Sequence, residues 1–316
     1  MKSMTTTSQL RDVVMIGAGP AALTAAIYTT REEIETVLYE KGVVGGLAAT
    51  TDWIDNYPGY AEGIEGTRLA DELKGQAERF GAKIEFGEVQ KIEQDGENLK
   101  LTTDSGEVSA KAVLIATGSD YRKLGVPGEA EYYARGVHYC ATCDGAFYKE
   151  KRLIVVGGGN SGVQEALFLT RFATHIDLLV RSDLRASEVL LRKLEEAKDK
   201  ITVHTQVTTD EIVGRDNKVT GAKITHRQTG EQELVEADGV FVFIGLLPNT
   251  QFLKGSDIEL DAVGLIKSDL NLQTSMPGVF VAGDARSGAT MQIATAVGEG
   301  ATAALKIREY LEKRGE

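Results

Sequence analysis

Cys140 and Cys143 are the only cysteines of the 316-residue chain, and two residues separate them. In a reducing compartment such a pair carries redox or metal chemistry. In a redox pair, one sulfur attacks a partner and the second resolves the mixed disulfide, and this spacing lets the two sulfurs close a small ring. Asp144 follows directly and is a candidate general acid for the departing thiolate, although capping of a helix N-terminus explains it nearly as well. The pair therefore predicts disulfide exchange.

A zinc site is the alternative use of two thiolates, and the rest of the sequence does not favour it. Two thiolates leave a tetrahedral zinc shell incomplete. Of the four histidines, only His138 is near the cysteines, whereas His175, His204 and His226 are scattered. We therefore expect no metal.

A glycine-rich turn near the N-terminus predicts a first dinucleotide site. The segment DVVMIGAGPAALTAAIYTTR has the order strand, turn and helix, with Gly17, Gly19 and Ala22 at the G-x-G-x-x-[GA] positions. Gly17 permits the tight turn, Gly19 lets the backbone approach a pyrophosphate, and Ala22 allows close packing. Glu40 ends the following strand and is placed to bind ribose hydroxyls. A glycine turn that binds nothing is the alternative.

A second turn of the same kind begins about 140 residues later, in RLIVVGGGNSGVQEALFLTRF. Its glycines are Gly157, Gly159 and Gly162, and the strand that follows ends at Arg181, with Arg185 four residues on. A guanidinium suits the 2′-phosphate of NADP, whereas an acid at that position would prefer NAD. We therefore expect NADPH rather than NADH, the alternative being two surface arginines.

The two turns belong to an internal duplication. The strand endings VLIATG (113–118) and VFVFIG (240–245) are nearly equivalent, and each follows a stretch that reads as antiparallel strands. The simplest topology inserts the second unit into the first, with crossings near 119–124 and 245–250. The predicted fold class is α/β, with two Rossmann-like, three-layer ββα domains, residues 1–120 with 248–316 and residues 121–247. Each domain is expected to bind a dinucleotide, and the second binds NAD(P)H and carries the cysteines.

Charge and hydropathy exclude other classes. A net charge of −12 gives no support for nucleic-acid binding, which requires a basic face. No apolar run reaches the roughly 18 residues of a transmembrane helix. The first ten residues, MKSMTTTSQL, lack the apolar core of a secretory signal. We expect a soluble, cytoplasmic enzyme.

The motifs together resemble one family. The run CATCDGAFY, with GAGPAALTAAIY, DNYPG, VVGGGNSGVQEALFL and VAGDAR, strongly resembles the bacterial-type, low-molecular-weight thioredoxin reductases over about residues 10–312. The resemblance implies an FAD domain made from both chain ends, an inserted NADPH domain, a homodimer and thioredoxin or a thioredoxin-like protein as partner. It also implies that the inserted domain rotates during the cycle, with the crossings as hinges.

The resemblance also implies residue roles. Cys143 matches the sulfur that approaches the flavin, Cys140 the sulfur that attacks thioredoxin, and Asp144 the acid. The positions that match FAD contacts are Gly17, Gly19, Pro20, Ala21, Glu40, Gly45, Gly46, Leu47, Asn56, Ala116, Thr117, Gly118, Gly283, Asp284, Gln292 and Ile293. Those that match NADPH contacts are Gly157, Gly159, Asn160, Ser161, Arg181 and Arg185.

Two segments depart from the family pattern. Where many relatives carry HRR and a further arginine, this chain has Val180, Arg181, Ser182 and Arg185, with a spacing one residue shorter. The usual Arg-Gln-Ala near the C-terminus is Met-Gln-Ile at 291–293, so a cationic contact to the flavin is missing. The departures fall on the nicotinamide site and on the flavin environment.

Other functions share part of these motifs. A related flavoprotein could take electrons from ferredoxin or a second flavin, or act as a dithiol oxidase with oxygen. Ferredoxin-NADP reductases of this fold lack C-x-x-C, and peroxiredoxin-reducing relatives carry N-terminal thioredoxin-like modules, whereas about ten residues precede the first strand here. A flavin-binding redox sensor is the non-enzymatic alternative, and no DNA-binding motif supports it.

Overall fold

The computed structural model describes residues 10–51, 53–54 and 56–315. The chain divides into two compact units, Met1–Asp120 with Pro248–Glu316, and Tyr121–Leu247. Each unit has its own hydrophobic core on both faces of a mainly or wholly parallel sheet. The second unit is thus inserted between the two parts of the first.

The first unit is built on a seven-stranded sheet in the order β3-β2-β1-β6-β5-β4, with β17 also paired to β6. Strands β1, β2, β3, β6 and β17 run parallel, and β4, β5 and β6 form an antiparallel extension. Its strands are β1 (Leu10–Ile16), β2 (Thr36–Glu40), β3 (Lys83–Phe86), β4 (Val89–Asp95), β5 (Asn98–Thr103), β6 (Gly106–Ile115) and β17 (Val279–Val281). Its helices are α1 (Pro20–Arg31), α2 (Gly46–Ala49), α3 (Gly66–Arg79) and α7 (Ile293–Lys313), with short 3₁₀ helices at Gln251–Leu253 and Gly283–Ala285.

Helices α1 and α7 pack closely because their contact is made of small residues. A side chain at Gly300 would lie 2.1 Å from the Ala21 carbonyl oxygen, so only glycine permits this approach. Pro20 occupies the first turn of α1, where its missing N–H costs nothing. The close approach brings the N-termini of two helices to the carboxyl edge of the sheet.

The second unit contains a five-stranded parallel sheet in the order β11-β10-β9-β15-β8 and a three-stranded antiparallel sheet, β12-β13-β14. Its strands are β8 (Val137–His138), β9 (Arg152–Val156), β10 (His175–Val180), β11 (Ile201–Thr205), β12 (Val207–Arg215), β13 (Lys218–His226), β14 (Gln232–Glu236) and β15 (Gly239–Val242). Its helices are α4 (Ala141–Asp144), α5 (Asn160–Leu169) and α6 (Glu188–Glu196), with a 3₁₀ helix at Gly145–Tyr148.

The chain passes between the units through two short strands, β7 (Ser119–Tyr121) and β16 (Leu246–Pro248), which pair with each other. The pairing is extended on one side by the Arg122 N–H, which donates to the Gly245 carbonyl at 3.0 Å. On the other side, the Asn249 N–H donates to the Gly118 carbonyl at 3.1 Å. Both strands fall within the segments where the sequence predicts crossings.

The predicted fold class, α/β with two Rossmann-like units, is confirmed, and one detail differs. The stretches expected to be antiparallel each begin with a parallel strand, because β3 pairs with β2 and β11 pairs with β10. The C-terminal helix begins at Ile293, although large apolar residues at helical spacing occur mainly in its last part, ALKIREYLEKRG. No helix in the described part of the chain is both long enough and apolar enough to span a bilayer.

Candidate redox centre and nucleotide sites

The cysteine pair lies where β8 leads into α4. Cys140 is the N-cap residue of α4, and it forms a disulfide with Cys143, one turn later. The Cys140 Sγ also accepts a hydrogen bond from the Cys143 backbone N–H at 3.2 Å. Both cysteines are half-buried. A backbone donor that already points at Cys140 stabilises negative charge on that sulfur once the disulfide opens.

Asp144 lies at the end of the same short helix and contacts a histidine. Its Oδ2 is 3.1 Å from the Nδ1 of His138, which is the last residue of β8. The His138 Nε2 is hydrogen-bonded to the Tyr148 hydroxyl at 2.7 Å. Burial raises the pKa of Tyr148, and the negative charge of Asp144 adds to the shift. Tyr148 therefore keeps its proton at neutral pH, and a carboxyl, an imidazole and a phenol stand in a row beside the disulfide.

In the first unit, the loop after β1 is held by Glu40. One carboxylate oxygen of Glu40 accepts the Ala18 N–H at 2.7 Å, and the other accepts the Gly42 N–H at 2.7 Å. Gly17 has φ +99°, and a methyl group there would lie 2.5 Å from the Ala116 carbonyl oxygen. At Gly19, by contrast, a methyl group would meet nothing within 4 Å. The loop is therefore tight on its sheet side and open where a phosphate would approach.

The remaining FAD positions of the sequence prediction lie around this loop. The Gly45 N–H donates to the Ala18 carbonyl at 2.7 Å, and Ala116 pairs with the end of β1. Asn56 Nδ2 donates to Gln292 Oε1 at 3.2 Å, at the start of α7. The structure places the rest on the same loops and helix starts, with the Leu47 side chain exposed on α2: Pro20, Ala21, Gly46, Leu47, Thr117, Gly118, Gly283 and Ile293.

Two polar groups in this region fit a flavin dinucleotide. The Thr117 Oγ1 is buried and has no hydrogen-bond partner in the part of the chain that the structure describes. Burial raises the pKa of Asp284 to about 6, with a further contribution from the negative charge of Glu299. A buried polar group normally has a partner, so the Thr117 hydroxyl indicates a polar ligand at the site. The neighbouring 3₁₀ helix is tied to β7, because the Ser119 Oγ donates to the Asp284 carbonyl at 2.6 Å.

The second glycine turn opens on a cavity of about 580 Å³ within the inserted unit. Gly162 approaches Gly157 so closely that a side chain would lie 2.2 Å from the Gly157 oxygen, and Gly159 has open space beside it. The Asn160 Oδ1 accepts the Ser187 N–H at 2.8 Å, which ties α5 to α6. The predicted nucleotide residues all line the cavity: Gly157, Gly159, Asn160, Ser161, Arg181 and Arg185.

The cavity also has a cationic wall. The backbone N–H of Arg185 donates to the Gly158 carbonyl at 2.7 Å, which fixes this residue at the glycine turn. The backbone carbonyl of Arg181 accepts a hydrogen bond from the Arg227 guanidinium at 3.0 Å. Arg122 and Lys123 line the same cavity and were not among the predicted residues. They lie within the predicted first crossing, directly after β7, and that position is the signal in the sequence that could have identified them.

No group of three or more metal-ligating side chains occurs within residues 10–51, 53–54 and 56–315. His138, the histidine nearest the cysteines in sequence, contacts Asp144 and Tyr148 instead.

Comparison with known proteins identifies the family. A family model described as pyridine nucleotide-disulphide oxidoreductase matches residues 11–300. The chain belongs to this family.

The proteins similar to this chain include thioredoxin reductases. The chain is 40% identical to the thioredoxin reductase of Listeria monocytogenes, over 99% of this chain and 98% of that one. It is 39% identical to that of Bacillus subtilis, over 98% and 97%. The solved thioredoxin reductase of Streptococcus pyogenes superposes with a TM-score of 0.90 at 42% identity, covering 96% of this chain and 99% of that chain. The resemblance stated from the motifs is confirmed.

Proposed function

We propose that this chain is a thioredoxin-disulfide reductase that moves electrons from NADPH, via FAD and the Cys140/Cys143 disulfide, to oxidised thioredoxin. The observation that carries the proposal is the disulfide at the start of α4, with Asp144 at the end of the same helix, in a unit that also has a glycine-lined cavity. The likeness to thioredoxin reductases over nearly the whole chain supports it.

The two sulfurs have different roles in this proposal. In the reduced enzyme, the Cys140 thiolate attacks the partner's disulfide, and one partner sulfur leaves as a thiolate. The Cys143 thiolate then attacks the Cys140 sulfur, which reforms the internal disulfide and expels the second partner thiolate. Asp144 supplies a proton to a departing thiolate. The backbone N–H that already points at the Cys140 sulfur supports its assignment as the attacking thiolate.

We propose FAD as the dinucleotide of the first unit. The open side of Gly19, the unpartnered Thr117 hydroxyl and the half-buried Asp284 are the features that support it. Bound there, FAD would accept electrons from the nicotinamide and pass them to the cysteine pair. Glu40 then has two uses, because it holds the loop and would bind the ribose hydroxyls.

We propose NADPH as the ligand of the cavity in the second unit. Arg181 and Arg185 line the cavity and would bind a 2′-phosphate, and the N-terminus of α5 would bind the pyrophosphate. Ser182 replaces an arginine at this wall, while Arg122 and Lys123 add positive charge to it.

Three further expectations stay predictions. The units are expected to rotate about β7 and β16 during the cycle. The chain is expected to form a homodimer, which sedimentation would check, and to be cytoplasmic, which cell fractionation would check.

The cysteine assignment is tested by trapping. Cys143→Ser should accumulate a mixed disulfide with oxidised thioredoxin, because Cys140 attacks but nothing resolves the product. Cys140→Ser is the matched control and should form none. Both variants should lose thioredoxin reduction while NADPH still bleaches the flavin anaerobically. Intact-mass spectrometry measures the trapped species, and trapping in Cys140→Ser alone would reverse the two roles.

The nucleotide assignment is tested by comparing flavin reduction with NADPH and NADH. Arg181→Ala should raise the KM for NADPH by about 10- to 100-fold, the loss expected for a charged hydrogen bond, and leave the KM for NADH nearly unchanged. Arg215→Ala, on the exposed end of β12, is the control. Equal effects on both nucleotides would refute the 2′-phosphate contact. Failure of both nucleotides in the unmodified enzyme would point instead to ferredoxin or a second flavin as donor.

A further inference from the structure

His138 is held rigidly beside the redox centre. Its side chain is buried, with 8% exposed, and its ring stacks on Phe241 of β15 with centroids 5.1 Å apart. The strand register places His138 directly opposite Phe241 in the parallel pairing of β8 with β15. The Tyr148 ring meets both of these rings edge-on. The imidazole therefore has a fixed plane two residues before Cys140.

Both ring nitrogens of His138 have polar neighbours. Nδ1 lies 3.1 Å from Asp144 Oδ2, which is within the distance for direct proton transfer. Nε2 is hydrogen-bonded to the Tyr148 hydroxyl at 2.7 Å, and Tyr148 can donate that hydrogen bond because it stays protonated. In the imidazolium both nitrogens carry protons, so Nδ1 donates to the Asp144 carboxylate and Nε2 donates to the Tyr148 oxygen.

We propose that His138 is a positioning residue that orients Asp144 and passes a proton to it during thiol–disulfide exchange. The inference rests on the proposed reductase function and adds a partner for its acid. The contact occupies Oδ2, so Oδ1 is the oxygen that serves the leaving sulfur. The row Tyr148, His138, Asp144 thus leads from the interior of the second unit to the disulfide.

The proton balance of the step is complete. The Cys143 thiolate forms a bond to the Cys140 sulfur, the bond from Cys140 to the partner sulfur breaks, and the electron pair stays on the partner sulfur. That sulfur takes a proton from Asp144. The imidazolium of His138 then passes its Nδ1 proton to the carboxylate, which leaves a neutral ring with its proton on Nε2, and water later returns a proton to Nδ1. No oxidant or reductant beyond the cysteine pair and its partner takes part.

Few ionisable groups surround this imidazole. In the described part of the chain, those that face it are Asp144 from α4 and Tyr148 from the 3₁₀ helix, while β15 presents the uncharged Phe241. Asp238, just before β15, acts on Tyr148 by its negative charge.

The kinetic test uses His138→Asn, which keeps an amide donor near the Nδ1 position but cannot carry a proton. The pre-reduced variant should reduce oxidised thioredoxin about 10- to 100-fold more slowly than the wild type, and its rate should vary less with pH across the neutral range. His226→Asn is the matched control, because its imidazole lies 3.1 Å from the Glu233 carboxylate in the same unit. The control should keep the wild-type rate and pH profile.

Flavin reduction by NADPH separates this proposal from the proposed function. His138→Asn should bleach its flavin at the wild-type rate, so only the thiol step should slow. If wild-type enzyme cannot reduce thioredoxin with NADPH, the proposed function is wrong. If wild-type enzyme works and His138→Asn matches it in rate and pH profile, the role of His138 is wrong.

A measurement on the unmodified protein covers the case in which the variant does not fold. The chain has four histidines, so ¹⁵N-histidine labelling gives a simple spectrum. Opening the disulfide with dithiothreitol, which needs no nucleotide, should change the ring ¹⁵N shifts of His138 and leave those of His226 unchanged. Unchanged His138 shifts in the reduced protein would overturn the proposal.

Discussion

At the residue scale, Gly17 and Gly19 share a motif but do different work. Gly17 needs φ +99° and has the Ala116 carbonyl oxygen where a side chain would begin, whereas a side chain at Gly19 would enter open space. Gly17→Ala should therefore destabilise the flavin-free first unit by about 1–3 kcal/mol, from backbone strain. Gly19→Ala should leave that stability within about 0.5 kcal/mol and lower FAD affinity instead. Thermal unfolding and flavin titration measure the two effects. Equal destabilisation by both substitutions would contradict the separate roles of Gly17 and Gly19.

The cysteine pair and the glycine turns could be predicted from the sequence because each is a local pattern whose chemistry depends on spacing. The contact of His138 with Asp144 could not be predicted from the sequence. It depends on the pairing of β8 with β15 and on the turn from α4 into the 3₁₀ helix, which bring residues 138, 144 and 148 together. Arg122 and Lys123 were missed for the same reason, because a lining residue of a cavity is defined by its tertiary neighbours.

At the scale of elements, Asp177 joins three strands of the second unit. It lies on β10, has 5% of its surface exposed, and contacts His204 on β11 at 2.9 Å and Arg152 on β9 at 3.2 Å. Burial acts to raise the pKa of Asp177, but the hydrogen bond from His204 and the nearby positive charges outweigh it and hold the pKa below its ordinary value. The same hydrogen bond raises the pKa of His204 against the effect of burial.

This pair predicts a pH dependence of stability. The His204 contribution is complete below its unfolded pKa of about 6.5 and is lost as pH rises through the raised folded value. The Asp177 contribution is present above about 3.9 and is lost as pH falls through its lowered folded value. The second unit should therefore lose thermal stability from about pH 6.5 upward, and His204→Asn should reduce that slope. Calorimetry between pH 5 and 9 measures how thermal stability changes with pH. An unchanged slope in His204→Asn would exclude the Asp177–His204 pair as the origin of the pH dependence.

The elements that sequence reasoning placed least well are those with atypical patterns. Strand β3 is an exposed edge strand, so its polar residues resemble an antiparallel hairpin although it pairs in parallel. The first half of α7, IATAVGEGATA, has small residues in place of a large apolar stripe, because it packs against the backbone of α1. In both cases the neighbouring element decides the structure, and the local sequence does not carry that information.

At the scale of the whole molecule, the two units have separate cores. Leu114 is fully buried in the first, and Leu153 is fully buried in the second. Leu114→Ala and Leu153→Ala should each lower the stability of one unit by about 2–5 kcal/mol, so calorimetry should resolve two transitions that shift independently. NADP⁺ at 100 times its Kd should increase the free energy of unfolding of the second unit by about 2.7 kcal/mol. FAD at 100 times its Kd should do the same for the first unit. A single transition that both substitutions shift together would show that the units unfold as one.

The pairing of β7 with β16 has a consequence for how such a protein can be rebuilt. Because neighbouring strands lie about 4.8 Å apart, the two ends of the inserted unit leave its host side by side. A module whose ends meet in this way can be excised with a short linker in its place, or exchanged for another module with the same gap between its termini. The first unit would then be a constant host, and the inserted unit that carries the cysteines would be the exchangeable part.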